Sequence, residues 1–133
     1  MSELTLSDLG TRPKWRTFTE ADNGLGWSVS PGEWTVLGER PEGEVVDLTS
    51  VRAMFRLTGD RSADLLGKIC GLDLGDDVFP DGSSARTLVA GVTTELVRDD
   101  ELEVPSYLIL PSRSFGRYLI DVLRDAGQEF GMV

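Results

Sequence analysis

The chain has 133 residues, with 13 Lys+Arg against 23 Asp+Glu and no histidine, for a formal charge of −10. Such a charge repels nucleic-acid phosphates and anionic lipid, and the lack of imidazole excludes a His general base, a Ser-His-Asp triad and a His metal ligand. One cysteine, Cys70, allows no internal disulfide and no multi-Cys zinc site, and no apolar run reaches the roughly 20 residues of a membrane span. The N-terminus lacks the basic start and apolar core of a signal peptide. These features predict one reduced, cytoplasmic domain.

Residues 1–32 are rich in Gly and Pro with little periodicity. They read as an irregular N-terminal arm with one short helical turn, ahead of a single α+β domain over 33–133. Trp15, Phe18 and Trp27 lie in this arm. Three such side chains tack the arm onto the domain or onto a partner, and the expected arrangement folds them over a sheet face.

From Glu33 the pattern sharpens. Trp34–Leu37 and Glu44–Leu48 are strand candidates separated by the Pro41-Glu42-Gly43 turn. Arg52 to Thr58 alternates, with Phe55 and Leu57 on one side and Arg52, Met54 and Arg56 on the other, as in a half-buried strand. Asp60 is placed to cap a helix running to Cys70, with Leu65, Leu66, Ile69 and Cys70 on one face and a left-handed Gly71 after it. Ala85–Ala90 and Val92–Arg98 form a hairpin turning at Gly91. Ser106–Leu110 is an apolar central strand. Ser112 can cap a helix whose apolar stripe runs through Phe115, Tyr118, Leu119, Val122, Leu123 and Ala126. Glu129–Val133 offers a short last strand. The predicted fold is an antiparallel sheet with two helices on one face, around a ferredoxin-like β-α-β-β-α-β core.

Candidate chemistry is sparse. Asp73, Asp76, Asp77 and Asp81 lack the alternation of a calcium loop, so no metal site is expected. Gly24-Leu25-Gly26 follows no apolar strand and lacks a phosphate loop's Lys-Ser/Thr pair. Cys70 sits on an apolar helix face, away from the basic or helix-N-terminal setting of a reactive thiol. Tyr107 and Tyr118 show no acid-base partner, and Tyr118 falls on the helix stripe. Ser112, Arg113 and Ser114 place hydroxyls and a cation at a helix start, a weak anion-site candidate whose simpler reading is capping. No catalytic set emerges, which favours a binding or structural subunit.

One ordered set of segments carries more. Val46-Asp47-Leu48-Thr49-Ser50, Phe55-Arg56-Leu57-Thr58-Gly59-Asp60-Arg61-Ser62-Ala63-Asp64-Leu65-Leu66 and Cys70-Gly71-Leu72-Asp73-Leu74 resemble the folate-binding aminomethyltransferase superfamily, and within it the sarcosine oxidase gamma-subunit family. The likeness continues through Gly32–Leu37, Phe79-Pro80-Asp81-Gly82, Ala85-Arg86-Thr87, Pro111–Phe115 and Glu129-Phe130-Gly131. Thr49 stands where Ser is commoner, the N-terminal arm matches weakly, and no position matches the folate-binding acid. The resemblance implies a noncatalytic gamma-like subunit of a flavin-dependent amine oxidase in folate-linked one-carbon metabolism. It binds no cofactor alone, while flavin, NAD and tetrahydrofolate sit in larger partner subunits. The alternatives are a stand-alone folate or one-carbon binding module, and an interaction domain with another partner.

Overall fold

A computed structural model describes residues 3–18 and 26–132. Among these residues the strands are β1 (Thr5–Asp8), β2 (Lys14–Thr17), β3 (Gly26–Ser30), β4 (Glu33–Leu37), β5 (Val45–Asp47), β6 (Phe55–Thr58), β7 (Ser84–Val89), β8 (Val92–Arg98) and β9 (Ser106–Pro111). The helices are α1 (Ser62–Gly67) and α2 (Gly116–Gly127), with 3₁₀ turns at Arg113–Phe115 and Gln128–Phe130.

The strands form two antiparallel sheets. One has five strands in the order β1-β6-β9-β8-β7, the other four in the order β3-β4-β2-β5. The antiparallel α+β class with two helices on one sheet face is as the sequence predicts. Its order from β6 onward is β-α-β-β-β-α. The closing strand of the ferredoxin-like pattern is absent among the described residues: Gln128–Phe130 turns as 3₁₀ instead, and β1 occupies the edge beside β6.

The N-terminal segment also differs from expectation. It is no irregular arm, because β1 joins the five-stranded sheet and β2 and β3 build the four-stranded one. Gly59 makes the β1 approach possible. Its φ is 144°, and a Cβ there would lie 2.9 Å from Leu4 Cα.

Burial follows the strand alternation. In β6 and β9, Phe55, Leu57, Tyr107 and Ile109 face the helices and pack with Leu65, Leu66, Leu119 and Leu123. Met54, Leu108, Leu110 and Val97 face the opposite way and pack with Trp27 of β3. β9 is therefore buried on both faces, which is why Tyr107–Leu110 reads as an unbroken apolar run.

Both helices begin differently from prediction. The residue before α1 is Arg61, not Asp60, and the Arg61 side chain makes no capping bond; Gly71 is absent from the positive-φ glycines. Ser112 precedes a 3₁₀ turn and makes no capping bond. Within α2 the buried residues include Gly116, Leu119, Ile120 and Leu123, so Leu119 and Leu123 of the expected stripe are core and Ile120 joins them. Phe115 and Tyr118 are half exposed, at 50% and 51%, rather than core.

Candidate functional site

Three clusters of polar side chains are built into this frame. The first lies between the sheets. Glu95 is on the β8 face that looks toward the four-stranded sheet, and it is 2% exposed. Its carboxylate accepts from Arg16 Nη2 at 2.8 Å, Trp27 Nε1 at 3.2 Å and Thr35 Oγ1 at 3.1 Å, with Arg86 Nη2 at 3.4 Å. Those donors come from β2, β3, β4 and β7. A buried charge is tolerable only with such pairing, so this carboxylate is committed to holding the sheets together.

The second surrounds Lys14, which is fully buried at the start of β2. Its ammonium donates to the carbonyls of Gly10, Arg12 and Thr49 at 2.8, 2.9 and 3.3 Å. Burial first, and the nearby Arg113 charge second, lower its pKa below the usual lysine range. The Asp47-Leu48-Thr49 segment completes the clamp. Asp47 Oδ1 accepts from Thr49 N at 2.9 Å, and Thr49 Oγ1 accepts from Lys14 N at 3.0 Å. Thr or Ser serves equally at position 49, because the hydroxyl is what the clamp uses.

The third is an open cleft of about 640 Å³ between α2, β6 and the turn after β1. Phe55, Ala53 and Ile120 supply apolar lining, and Arg113, Arg117 and Arg124 line its α2 side. Asp8 is the acidic lining residue. Arg117 reaches Asp121 at 3.8 Å, while Arg113 and Arg124 form no ion pair among the described residues. In a chain of charge −10 this is a local cationic field, able to attract and orient a small carboxylate or phosphate. Its lining offers no acid and base in mutual contact.

The sequence-predicted residues distribute as follows. Arg113 lines the cleft. Ser112 and Ser114 share a 3.2 Å hydroxyl contact outside its lining. Trp27 is buried at 4%, Trp15 is half-buried with its Nε1 donating to the Gly38 carbonyl, and Phe18 is 48% exposed. The three are not brought together on one surface. Cys70 is buried in the helix-side core. Tyr107 stacks on Phe79 at 6.4 Å, and burial raises its pKa. Tyr118 donates to the Ala90 carbonyl at 3.2 Å. Asp76 pairs with Arg98 at 2.6 Å, and Asp81 accepts the Asp100 amide. No group of three or more Cys, Asp or Glu placed to hold a metal occurs among the described residues. Gly24 and Leu25 lie outside the described residues; Gly26 opens β3. No described helix is long and apolar enough to cross a membrane.

Sequence reasoning missed Lys14, Arg16 and Glu95. The available signal was the alternation in Lys14-Trp15-Arg16-Thr17, but it runs opposite to habit: the charged residues point in and Trp15 is the more exposed.

Known proteins supply the last observation. The chain is 35% identical over 94 residues to the sarcosine oxidase subunit gamma of Corynebacterium sp. strain U-96, and 34% identical over 94 residues to that of strain P-1. Each alignment covers 71% of this chain and 44% of the relative, so the chain spans less than half the length of the curated relatives it matches. A chain of the solved heterotetrameric sarcosine oxidase from Corynebacterium sp. U-96, in complex with pyrrole 2-carboxylate, superposes with a TM-score of 0.82 at 20% identity. That match covers 98% of this chain and 86% of the other and shows a shared fold. No protein-family model matches the chain.

Proposed function

We propose a function that starts from the assignment these matches support, the sarcosine oxidase gamma-subunit family: the chain is a noncatalytic subunit of a sarcosine-oxidase-type flavin amine oxidase in folate-linked one-carbon metabolism. The observation that carries this reading is the 35% identity to a gamma subunit over 94 residues. The structure adds a physical reason. Its buried ionic groups, Glu95 and Lys14, are spent on joining sheets and closing loops, as befits an architectural part. Flavin, NAD and tetrahydrofolate then belong to larger partner subunits in the cytoplasm, and residues 33–133 with the three N-terminal strands act as one unit. Co-expression with the large subunits of such an oxidase tests this. The chain is expected to co-purify in a stable flavin-containing complex, and its absence from the purified oxidase would refute the reading.

A second reading rests on the arginine-lined cleft: a stand-alone module that binds a carboxylate ligand of the folate class. Calorimetric titration of the isolated chain with tetrahydrofolate decides it. Heat that disappears in Arg113→Ala supports the module, and no heat at millimolar ligand removes it.

A further inference from the structure

The β8–β9 hairpin ends in a turn that breaks a local rule. Glu101 and Val104 exchange backbone hydrogen bonds at 3.0 and 2.9 Å, leaving Leu102 and Glu103 as a two-residue tip. Both have left-handed backbones, with φ of 50° and 67°. This geometry favours Asn-Gly, and a leucine in it is strained. The β7–β8 hairpin is an internal control. It turns the same way at Ala90 and Gly91, with φ of 51° and 80°, using a small residue and a glycine.

The strained tip holds a leucine in water. Leu102 is 97% exposed, the most exposed large hydrophobic side chain among the described residues. Yet the base beneath is fixed by two mostly buried arginines. Arg56 donates to the Asp99 carbonyl at 3.0 Å and to its carboxylate at 2.8 Å. Arg98 binds the Asp100 carboxylate at 3.0 and 3.2 Å, and Asp100 accepts the Ser106 amide in turn. A rigid stem that presents one apolar side chain on a strained tip loses little conformational freedom on docking.

We propose that Leu102 is an anchor that inserts into an apolar, cation-rimmed pocket on a larger subunit of the oxidase complex. The proposal rests on the gamma-subunit reading above. The cationic rim follows from charge. Asp99 and Asp100 are paired with Arg56 and Arg98, whereas Glu103 is exposed with no ion pair among the described residues and Glu101 reaches Arg56 only at 3.8 Å. A partner surface around the leucine therefore meets uncompensated negative charge, which favours Lys or Arg there.

The test is the double variant Leu102→Asn with Glu103→Gly, which suits the turn and removes the anchor, measured against the co-expressed flavin-containing subunits. The isolated variant is expected to melt above the wild type, because the strain is relieved. Its affinity for the large subunits is expected to fall by about tenfold or more, the scale for losing one buried leucine. Leu102→Met, which keeps an apolar side chain, is expected to bind within about threefold of wild type, since volume-conserving swaps cost little. A double variant that melts higher yet binds as tightly as wild type overturns the anchor and leaves the subunit reading standing. A wild-type chain that does not associate at all overturns both.

Discussion

The two faces of the five-stranded sheet are held by different physics. The helix side is dry: Leu57, Leu65, Leu66, Leu96, Ile109, Leu119 and Leu123 are fully buried there. The side facing the second sheet has a small apolar patch around Met54 and Trp27, and a buried ionic cluster centred on Glu95. Apolar packing is non-directional and accepts substitution by similar volumes. A buried carboxylate with donors from four strands is directional, and removing its main charged partner, Arg16, leaves a poorly compensated charge in a low dielectric. The first kind of face sets how stable the domain is, and the second sets how one sheet sits on the other.

Breaking each face in turn gives graded effects. Glu95→Ala leaves the buried Arg16 with only the partly exposed Glu33 at 3.4 Å and takes the carboxylate from the Trp27 and Thr35 donors. The expected loss is about 3–5 kcal/mol, the scale for breaking a buried pair, read by urea denaturation of the isolated chain. Replacing the pair together, Arg16→Met with Glu95→Leu, is expected to recover most of that loss, and a double variant as damaged as the single would refute the ionic account. On the dry face, Leu119→Ala is expected to cost about 3 kcal/mol, within the range for a buried leucine that leaves a cavity. A loss below about 0.5 kcal/mol, a surface-like value, would mean that α2 does not pack as described.

Lys14 sharpens the contrast through pH. Its folded pKa lies below the ordinary 10.5, so the unfolded chain binds the proton more tightly. Stability carried by this group therefore rises as pH climbs from the lowered value toward 10.5 and is constant above it. The buried Tyr107 works the other way. With its pKa raised above 10.0, its contribution is present below that value and lost as pH rises through the folded value. Comparing wild type with Lys14→Met cancels the tyrosine. The wild-type advantage in melting temperature is expected to grow across that window, and a pH-independent difference would place the ammonium in solvent. Smallest of all, Arg124→Ala is expected to change stability by less than about 0.5 kcal/mol, because the side chain is exposed.

The dry face was legible in the sequence and the ionic face was not, for reasons visible in particular residues. Phe55 and Leu57 alternate, and Tyr107–Leu110 is a continuous apolar run; both patterns are local. The hairpin at Gly91 was announced by its glycine. By contrast, β2 buries Lys14 and Arg16 and leaves Trp15 partly outside, so hydrophobic patterning argues against the strand that forms. Arg16 meets Glu95 across 79 positions, and no local signal encodes that encounter. The cleft is assembled likewise, from Asp8 and a distant helix; only its Arg113 was foreseen. Phe115 and Tyr118 were misplaced for a smaller reason. Phe115 falls in the 3₁₀ turn ahead of α2, and Tyr118 sits at the margin of a buried stripe centred on Leu119, Ile120 and Leu123, so the centre of the expected stripe is buried and its margin is not.

The edge position of β1 has a consequence for how the molecule is made. Thr5 pairs with Thr58 and Lys14 with Leu37, so β1 and β2 have no partner until strands later in the chain have been made. Both sheets must wait for this non-local pairing, which places folding in the slow class of β-rich topologies, on the order of milliseconds to seconds. During that interval Trp15 and the strand carrying it are uncovered, a window in which the nascent chain depends on dilution or on a chaperone to stay unassociated.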